Sequence, residues 1–374
     1  MSINASDIKR EAAACGFDLC GITGAAAFPE LGYLREWLDR GFAGEMAYMH
    51  RTAERRADVR HVLPSARSVV ALGTIYNVAR PYSTENADPA QAAIARYAWG
   101  DDYHVVIQER LDRLTAWMAE SAGEDFEARA YVDTGPVQER VYAHHAGLGW
   151  IGKNTCVINP EQGSWMFLSV VICNLVLEID PPAVDQCGTC TLCVQACPTD
   201  ALVPYELDSN KCLSYLTIEL KGAIPERHRD AIGGHAYGCD ICQEVCPWNQ
   251  APGHSANTAW LPRAGLDAPR LLDVWRRTDD ELRTLLKGSA MKRAGVRRLR
   301  RNLAVAIGNS GDPAAAAALR DSREETCADP LVTEHVAWAV EKLRGPHEPA
   351  RRGRVALIPD PATRLTGSRE IINS

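Results

Sequence analysis

The sequence predicts a multidomain protein of mixed α/β and α+β class, in which an α/β region, a cysteine-rich region and an all-helical region follow one another. Apolar runs of strand type alternate with amphipathic helical segments in the first part of the chain. Most of the cysteines lie between 187 and 246, and the segment from about 270 to 345 is rich in Ala, Leu and Arg. We therefore predict domains at 1–178, 179–255 and 265–345, with an irregular tail over 346–374.

The composition is that of a soluble globular protein. The chain has 374 residues, of which 46% are hydrophobic and 24% charged, and this balance argues against fibrous and extensively disordered classes. No apolar run approaches the ~18 residues of a transmembrane helix. The N-terminus lacks a basic stretch followed by an apolar run, so no export signal is expected. We expect a cytoplasmic protein without membrane association.

Periodicity predicts the elements of the N-terminal region in order. Ser6 and Asp7 can cap a helix that runs to Ala14, and a second helix is expected over 31–38, so residues 1–66 are expected to be helical. Strands are expected at 68–76, 128–132 and 165–172. An amphipathic helix is expected from Tyr103 to Ser121, between the first two strands.

The C-terminal region contains a weak internal repeat. Residues 302–307, followed by Pro313, align with residues 335–340, followed by Pro346. An offset of about 33 residues between two helical units predicts a short HEAT-like module.

The cysteine-rich region carries the most specific motif of the chain. Thiols are kept reduced in the cytosol, so thirteen cysteines indicate metal binding or catalysis rather than disulfides. Cys187, Cys190, Cys193 and Cys197, followed by Pro198, form the C-x2-C-x2-C-x3-C-P run of bacterial ferredoxins. The alternative is a zinc site, but zinc favours two well-separated C-x2-C pairs. The run predicts a 4Fe–4S cluster in a ferredoxin-like module.

A second, incomplete run predicts a second cluster. Cys239, Cys242 and Cys246 have the later spacing of the motif, but Ala236 stands at its first position. Two clusters need eight thiolates, and Cys212 is the remaining cysteine between the two runs. In two-cluster ferredoxins the fourth cysteine of each run binds the other cluster. We therefore predict that one cluster is held by Cys187, Cys190, Cys193 and Cys246, and the other by Cys197, Cys212, Cys239 and Cys242. The other five cysteines have no predicted role: Cys15, Cys20, Cys156, Cys173 and Cys327.

Charge is unevenly distributed along the chain. The net charge is −7, yet residues 287–301 carry seven basic and no acidic side chains. A basic stripe on an acidic protein predicts one anionic partner at one surface. The alternative is a solvated helix face.

Three stretches resemble epoxyqueuosine reductases, and the resemblance spans nearly the whole chain. They are 96–104 (RYAWGDDYH), 132–140 (VDTGPVQER) and 147–155 (GLGWIGKNT), to which 55–58 (RRAD) and both cysteine runs can be added. The resemblance implies an N-terminal domain that binds base-off cobalamin and is related to reductive dehalogenases. It also implies reduction of epoxyqueuosine to queuosine at the wobble position of tRNA with a GUN anticodon, the last step of queuosine synthesis. It further implies two 4Fe–4S clusters, which would receive electrons from an external donor.

The resemblance also implies roles for individual residues. Asp133 is expected to donate a proton to the opening epoxide, with its pKa raised by desolvation over the corrin face. Alternatively, Asp133 or Thr134 caps a helix that begins near Gly135 and Pro136. Expected cobalamin contacts are Arg56, Asp133, Val157, Leu168 and Ser214. Expected substrate contacts are Asp102, Tyr103, His104 and Arg140, although His104 can equally be a structural histidine. Expected tRNA contacts are Lys221, Lys292, Arg293, Arg297, Arg298, Arg300 and Arg301.

Two other functions remain open from the residues. A cobalamin-dependent, dehalogenase-like reductase of a small molecule has the same clusters, but it leaves the basic stripe unexplained. A non-catalytic iron–sulphur electron carrier needs no cobalamin at all. We expect a monomer in each case.

Overall fold

The computed structural model describes residues 3–86, 88–321 and 329–345. Its strands are β1 (Leu19–Gly24), β2 (Ser68–Ile75), β3 (Ala93–Ile94), β4 (Ala128–Val132), β5 (Trp150–Ile151), β6 (Val157–Ile158), β7 (Met166–Cys173), β8 (Leu202–Val203), β9 (Glu206–Leu207) and β10 (His235–Tyr237). Its α-helices are α1 (Ala5–Ala14), α2 (Tyr33–Asp39), α3 (Ala47–Arg51), α4 (Ala53–Ala57), α5 (Tyr103–Ala122), α6 (Glu139–His145), α7 (Leu192–Ala196), α8 (Leu213–Ile218), α9 (Glu226–Ile232), α10 (Ile241–Glu244), α11 (Leu271–Trp275), α12 (Asp279–Leu286), α13 (Gly295–Gly308), α14 (Ala315–Arg320) and α15 (Pro330–Arg344).

An antiparallel sheet in the order β1-β2-β7-β4 forms the centre of the N-terminal region. Every residue of β2 is buried, because helices cover both faces of the sheet. Val70 and Leu72 pack in the same cluster as Ile107 of α5, whereas Val69 packs with Val141 of α6. A strand buried on both faces has no polar alternation, which is why its sequence is a continuous apolar run.

The sequence predictions for this region are confirmed with one exception. The strands expected at 68–76, 128–132 and 165–172 and the helix that begins at Tyr103 are all present. The expectation that residues 1–66 are helical is wrong, because β1 lies between α1 and α2. β1 is a short segment with a glycine at its end, Leu19–Gly24, and its partner β2 is distant in sequence. Local periodicity does not report such a pairing.

The cysteine-rich region packs directly against the N-terminal region. β10 pairs in parallel with β3, and the carboxylate of Asp240 accepts a hydrogen bond of 2.6 Å from the backbone N–H of Arg96. α7 and α10, which lie within the two cysteine runs, share a small apolar cluster. This packing brings the cysteine runs next to the N-terminal region without a long linker.

The C-terminal region is helical, as predicted, and shares one continuous core with the N-terminal region. α13 packs closely against α15, since a Cβ on Gly308 would lie 2.8 Å from the Cβ of Ala339. The HEAT-like character of this pair stays a prediction. The predicted tail over 346–374 and Cys327 lie outside the described residues. Among the described helices, none has both the length and the apolar character needed to cross a membrane.

Candidate active site and cluster sites

A cavity of about 650 Å³ opens where the three regions meet. The N-terminal region contributes Asp102, Tyr103, His104 and Asp133 to its wall, the cysteine-rich region contributes Cys212 and Ser214, and the C-terminal region contributes Lys292 and Arg293. The cavity therefore brings together predicted catalytic, cluster and tRNA residues that are far apart in sequence. Sequence analysis did not single out its other polar and aromatic wall residues, among them Tyr48, Tyr97, Glu219 and Tyr237.

Asp133 is the centre of a hydrogen-bond network in this cavity. Its carboxylate accepts a 2.8 Å bond from Tyr103 Oη and lies 3.3 Å from His104 Nε2. The other nitrogen of His104, Nδ1, is 2.7 Å from Asp102 Oδ1. Asp102 also caps α5 by accepting from the backbone N–H of His104, which fixes this end of the helix at the cavity.

The loop that carries Asp133 has an unusual backbone conformation. Asp133 has φ of 57°, in the left-handed region, and a Cβ on Gly135 would lie 2.3 Å from the Tyr131 ring. α6 begins only at Glu139, and its N-cap is Gln138. Neither Asp133 nor Thr134 therefore caps a helix, so the alternative interpretation of this motif is wrong. A non-glycine residue held at positive φ is a strained conformation that is common at functional sites.

The protonation of the network differs from the expectation. Burial raises the pKa of Asp133, but the hydrogen bonds from His104 and Tyr103 and the charges of His104 and Arg293 outweigh it, so the pKa lies below its ordinary value. Burial lowers the pKa of His104, but its bonds with Asp133 and Asp102 outweigh this and raise it. Without the cofactor, the shift in the pKa of Asp133 is therefore opposite to the expected one, and the rise expected over a bound corrin stays a prediction. These directions favour an ionised Asp133 carboxylate beside a His104 ring that binds a proton more readily than free histidine.

The first predicted set of cluster cysteines lies together. Burial raises the pKa of Cys246 to about 12, and the neighbouring thiols of Cys193, Cys187 and Cys190 add to the effect. Trp150 Nε1 donates a hydrogen bond to Cys187 Sγ at 3.4 Å. Thiolates that converge in this way repel one another unless a cation binds between them. The donor set therefore fits an iron–sulphur cluster.

The second predicted set also lies together, beside the cavity. Burial raises the pKa of Cys212, and the nearby Cys197 contributes. The pKa of Cys242 is raised by burial and by its neighbours Cys156, Cys239 and Cys212. Cys212 itself lines the cavity, so a cluster at this set would adjoin the space that contains Asp133. Cys156, for which no role is predicted, lies beside this set.

The expected cobalamin contacts are divided between the cavity and its surroundings. Asp133 and Ser214 line the cavity. Arg56 donates a 2.7 Å bond to the carbonyl of Val137 and so supports the loop after Asp133. Val157 and Leu168 pack in one apolar cluster and are not among the residues that line the cavity.

Glu139 is a residue that sequence analysis missed. Its Oε1 is buried and has no hydrogen-bond partner among the described residues. Burial raises its pKa to about 8, and the nearby Asp133 adds to this. A neutral buried carboxyl group can donate a hydrogen bond to an amide, and cobalamin carries several. Its position in the stretch 132–140 was the available signal.

The predicted substrate and tRNA residues fall into exposed and buried groups. Arg140 is exposed, although one of its nitrogens donates to the carbonyl of Thr155 at 2.6 Å. Exposed side chains also include Lys221, Lys292, Arg293 and Arg297. Arg293 forms an ion pair with Glu219 at the cavity, and Arg297 pairs with Asp329 at 2.6 Å.

The remaining arginines of the basic stripe point inward, which corrects the sequence prediction. Arg300 and Arg301 are 4% and 0% exposed. The guanidinium of Arg301 donates to the carbonyls of three residues, Leu216, Leu220 and Gly222, and that of Arg300 to the carbonyls of Trp275 and Arg277. Arg298 is half-buried and donates to the carbonyls of Ile218 and Ala294. These three side chains stabilise the fold, and Arg300 and Arg301 have no surface to offer to tRNA.

Comparisons with known proteins identify the family of the chain. The family model described as "Epoxyqueuosine reductase QueG, DUF1730" matches residues 56–134, and the one described as "4Fe-4S double cluster binding domain" matches residues 186–249. The chain is 40% identical to the epoxyqueuosine reductase of Xanthomonas campestris over 342 residues, covering 90% of this chain and 95% of that protein. It is 37% identical to the epoxyqueuosine reductase of Escherichia coli, covering 90% and 88%.

Solved structures give the same result. A crystal structure of epoxyqueuosine reductase with a tRNA-Tyr epoxyqueuosine-modified stem loop matches with a TM-score of 0.81 at 28% identity, covering 99% of this chain and 98% of that one. The structure of epoxyqueuosine reductase from Streptococcus thermophilus matches with a TM-score of 0.81 at 30% identity, covering 92% of each chain. By its sequence identity and coverage, this chain belongs to the epoxyqueuosine reductase family.

Proposed function

We propose that the chain reduces epoxyqueuosine in tRNA to queuosine, with electrons passed through two 4Fe–4S clusters to cobalamin in the cavity. The observation that carries the proposal is that the Asp133 network and the predicted cluster ligand Cys212 line one cavity. A proton source and an electron source therefore adjoin the same space. Removal of the epoxide oxygen as water consumes two electrons and two protons, so both sources are needed.

The cofactor would be held by residues on two sides of the cavity. Ser214 and Asp133 line it, and Glu139 lies near both Asp133 and Arg56. When bound, cobalamin supplies a redox-active cobalt that transfers electrons to carbon–heteroatom bonds. Of the expected contacts, Val157 and Leu168 would act through their apolar packing or backbone. The dehalogenase-like character of this domain is part of the same proposal.

Asp133, Tyr103 and His104 would supply a proton to the oxygen of the opening epoxide. His104 Nε2 faces the Asp133 carboxylate at 3.3 Å, and the hydrogen bonds with Asp133 and Asp102 outweigh burial and raise the pKa of its ring. Asp133 can accept a proton from His104 and pass it to an alkoxide-like oxygen within hydrogen-bond reach. General acid catalysis of this kind contributes about 10²–10⁴-fold. Asp102 acts as a positioning residue, because it orients His104 through Nδ1.

The tRNA would bind across the mouth of the cavity. Lys292 and Arg293 line the cavity and are exposed, and Lys221 follows Glu219 of its wall. Arg297 extends this surface. Cations at such positions contact phosphates and orient the anticodon loop without reading sequence. Selection of GUN anticodons would then depend on the modified base itself, extruded into the cavity.

The cellular setting is part of the proposal. We expect a cytoplasmic monomer that receives electrons from an external donor. The packing of α13 against α15 supports a HEAT-like scaffold behind the basic surface. A small-molecule reductase and a non-catalytic electron carrier are the alternatives, and neither uses this surface.

A comparison of three substrates, each supplied separately, tests the proposal. The chain, with both clusters and cobalamin loaded, is given epoxyqueuosine as the free nucleoside, in a stem loop with a GUN anticodon, or in a matched loop with the modified base at another position. We expect rapid conversion only in the GUN stem loop. Equal conversion of the nucleoside would favour a small-molecule reductase. A chain that transfers electrons but converts none of the three would be an electron carrier.

A further inference from the structure

A second group of chemically active side chains lies outside the cavity, at the C-terminal end of α6. A ring nitrogen of His144, a ring nitrogen of His145 and a carboxylate oxygen of Glu30 all lie within 4.8 Å of one another. His145 Nε2 is 3.2 Å from Glu30 Oε2. Around a tetrahedral metal with bonds of ~2.0–2.2 Å, ligand atoms are about 3.3–3.6 Å apart. Small rotations of the side chains would therefore close this group around one ion.

The orientation of the rings is held by the surrounding structure. His145 stacks on Phe28 with ring centroids 3.6 Å apart and planes at 6°. The two histidine rings meet edge to face, with centroids 4.9 Å apart and planes at 72°. Phe28 and Glu30 belong to one turn, so the same short segment supplies a carboxylate and the surface that orients a histidine. Ligands that are orientated before binding lower the cost of ordering a site.

His144 provides an independent observation. Its Nδ1 is buried and has no hydrogen-bond partner among the residues the structure describes, whereas most buried polar atoms have one. A neutral imidazole has one nitrogen with a free lone pair. The function proposed above makes no use of this group.

We propose that Glu30, His144 and His145 bind a divalent transition-metal ion, for which Zn²⁺ is the best match. Two imidazoles and one carboxylate are a ligand set typical of Zn²⁺, with water in the fourth position. Magnesium and calcium prefer oxygen ligands, so they fit the two histidines poorly.

The position of the site indicates a structural role. The carbonyl of His144 accepts a 3.1 Å bond from the backbone N–H of Ala183, in the segment that leads to Cys187. An ion would therefore link the turn at Glu30 to the C-terminal end of α6, which is hydrogen-bonded to the segment before the first cysteine run. It would also secure α6 behind the loop that carries Asp133.

Metal content of the intact enzyme tests the proposal. The full chain is first reconstituted with both clusters, so that the cysteines of the two runs are occupied, then incubated with Zn²⁺, desalted and analysed for iron and zinc. We expect about one zinc per wild-type chain. We expect its loss in Glu30→Gln, His144→Ala and His145→Ala. The matched control His254→Ala changes an exposed histidine elsewhere and should retain zinc.

Two further measurements keep the test decisive. Glu30→His replaces one zinc ligand by another and should restore binding, and unchanged iron content shows that each variant has folded. Zn²⁺ should raise the melting temperature of the wild type and leave those of the three variants unchanged. Zinc retained equally by all three variants, or not bound by the wild type, would overturn the proposal.

Discussion

Replacement of Arg301 should lower the stability of the fold without removing a direct contact to tRNA. Arg301 belongs to the basic stripe, yet it is fully buried, and its guanidinium binds the carbonyls of Leu216, Leu220 and Gly222 at 2.6–2.7 Å. Those carbonyls belong to the segment that carries Ile218 and Glu219 of the cavity wall. Arg301→Met fills similar space but provides no donor.

The magnitude follows from the hydrogen bonds that the substitution removes. An unsatisfied buried acceptor costs about 1–3 kcal/mol, and the substitution removes the donor from the carbonyls of Leu216, Leu220 and Gly222. Burial lowers the pKa of Arg301 to about 9, with contributions from Arg298 and Arg297. Removal of this buried charge therefore offsets part of the cost of the lost hydrogen bonds. We expect a net loss of about 3 kcal/mol, and a fall in melting temperature of roughly 4 °C for a chain of 374 residues.

Arg297→Met is the matched control. Arg297 is exposed, and its ion pair with Asp329 spans 2.6 Å, so its removal should cost less than about 1 kcal/mol. It should instead reduce the salt dependence of tRNA binding, by roughly 0.7–0.9 in the log–log slope for each phosphate that is no longer neutralised. Thermal unfolding and salt titration of tRNA binding measure the two effects. If Arg301→Met keeps its melting temperature and loses salt dependence, the assignment of Arg301 to the fold is refuted.

Three further predictions concern the cavity and the clusters. Asp133→Asn should lower the rate of epoxyqueuosine reduction by about 10²–10⁴-fold, measured in single turnovers, while the exposed control Asp125→Asn keeps the wild-type rate; an unchanged Asp133→Asn rate would remove Asp133 from proton transfer. The pKa of Glu139 is raised to about 8, so its ionisation should destabilise the cobalamin-free fold increasingly as pH rises from about 4.5 to 8. Glu139→Gln should then be more stable than the wild type at pH 8 and similar at pH 4.5; equal melting temperatures at pH 8 would contradict its burial. Cys212→Ser should reduce iron from about eight to about four atoms per chain, whereas Cys156→Ser should retain the full complement, and the reverse result would exchange their roles.

Motifs and periodicity predicted those parts of the structure that depend on local sequence. The run from Cys187 to Cys197 has a spacing that only a few metal sites require, and the continuous apolar run of β2 reflects burial on both faces. The helix at Tyr103 follows from its cap at Asp102 and its periodic buried face. Each of these signals is contained within about twenty residues.

Features that depend on distant partners escaped the sequence. The seven charges of the basic stripe do not reveal which guanidinium groups turn inward. Arg300 and Arg301 do so because they donate hydrogen bonds to carbonyls of segments that are distant in sequence. Likewise, the pKa of Asp133 depends on burial, which raises it, and on the hydrogen bonds from His104 and Tyr103 of α5, which lower it. Burial of Glu139 depends on the packing of α6 against the sheet. Charge, burial and pairing of this kind are properties of the assembled fold.

Nucleoside mass spectrometry of tRNA tests the central claim most directly. The chain is reconstituted with both clusters, supplied with cobalamin and a strong reductant without oxygen, and incubated with tRNA that carries epoxyqueuosine. The account predicts loss of one oxygen mass from the modified nucleoside, dependent on added cobalamin and abolished with the reductant omitted. An unchanged nucleoside mass, with clusters, cobalamin and tRNA all shown to be bound, would contradict it.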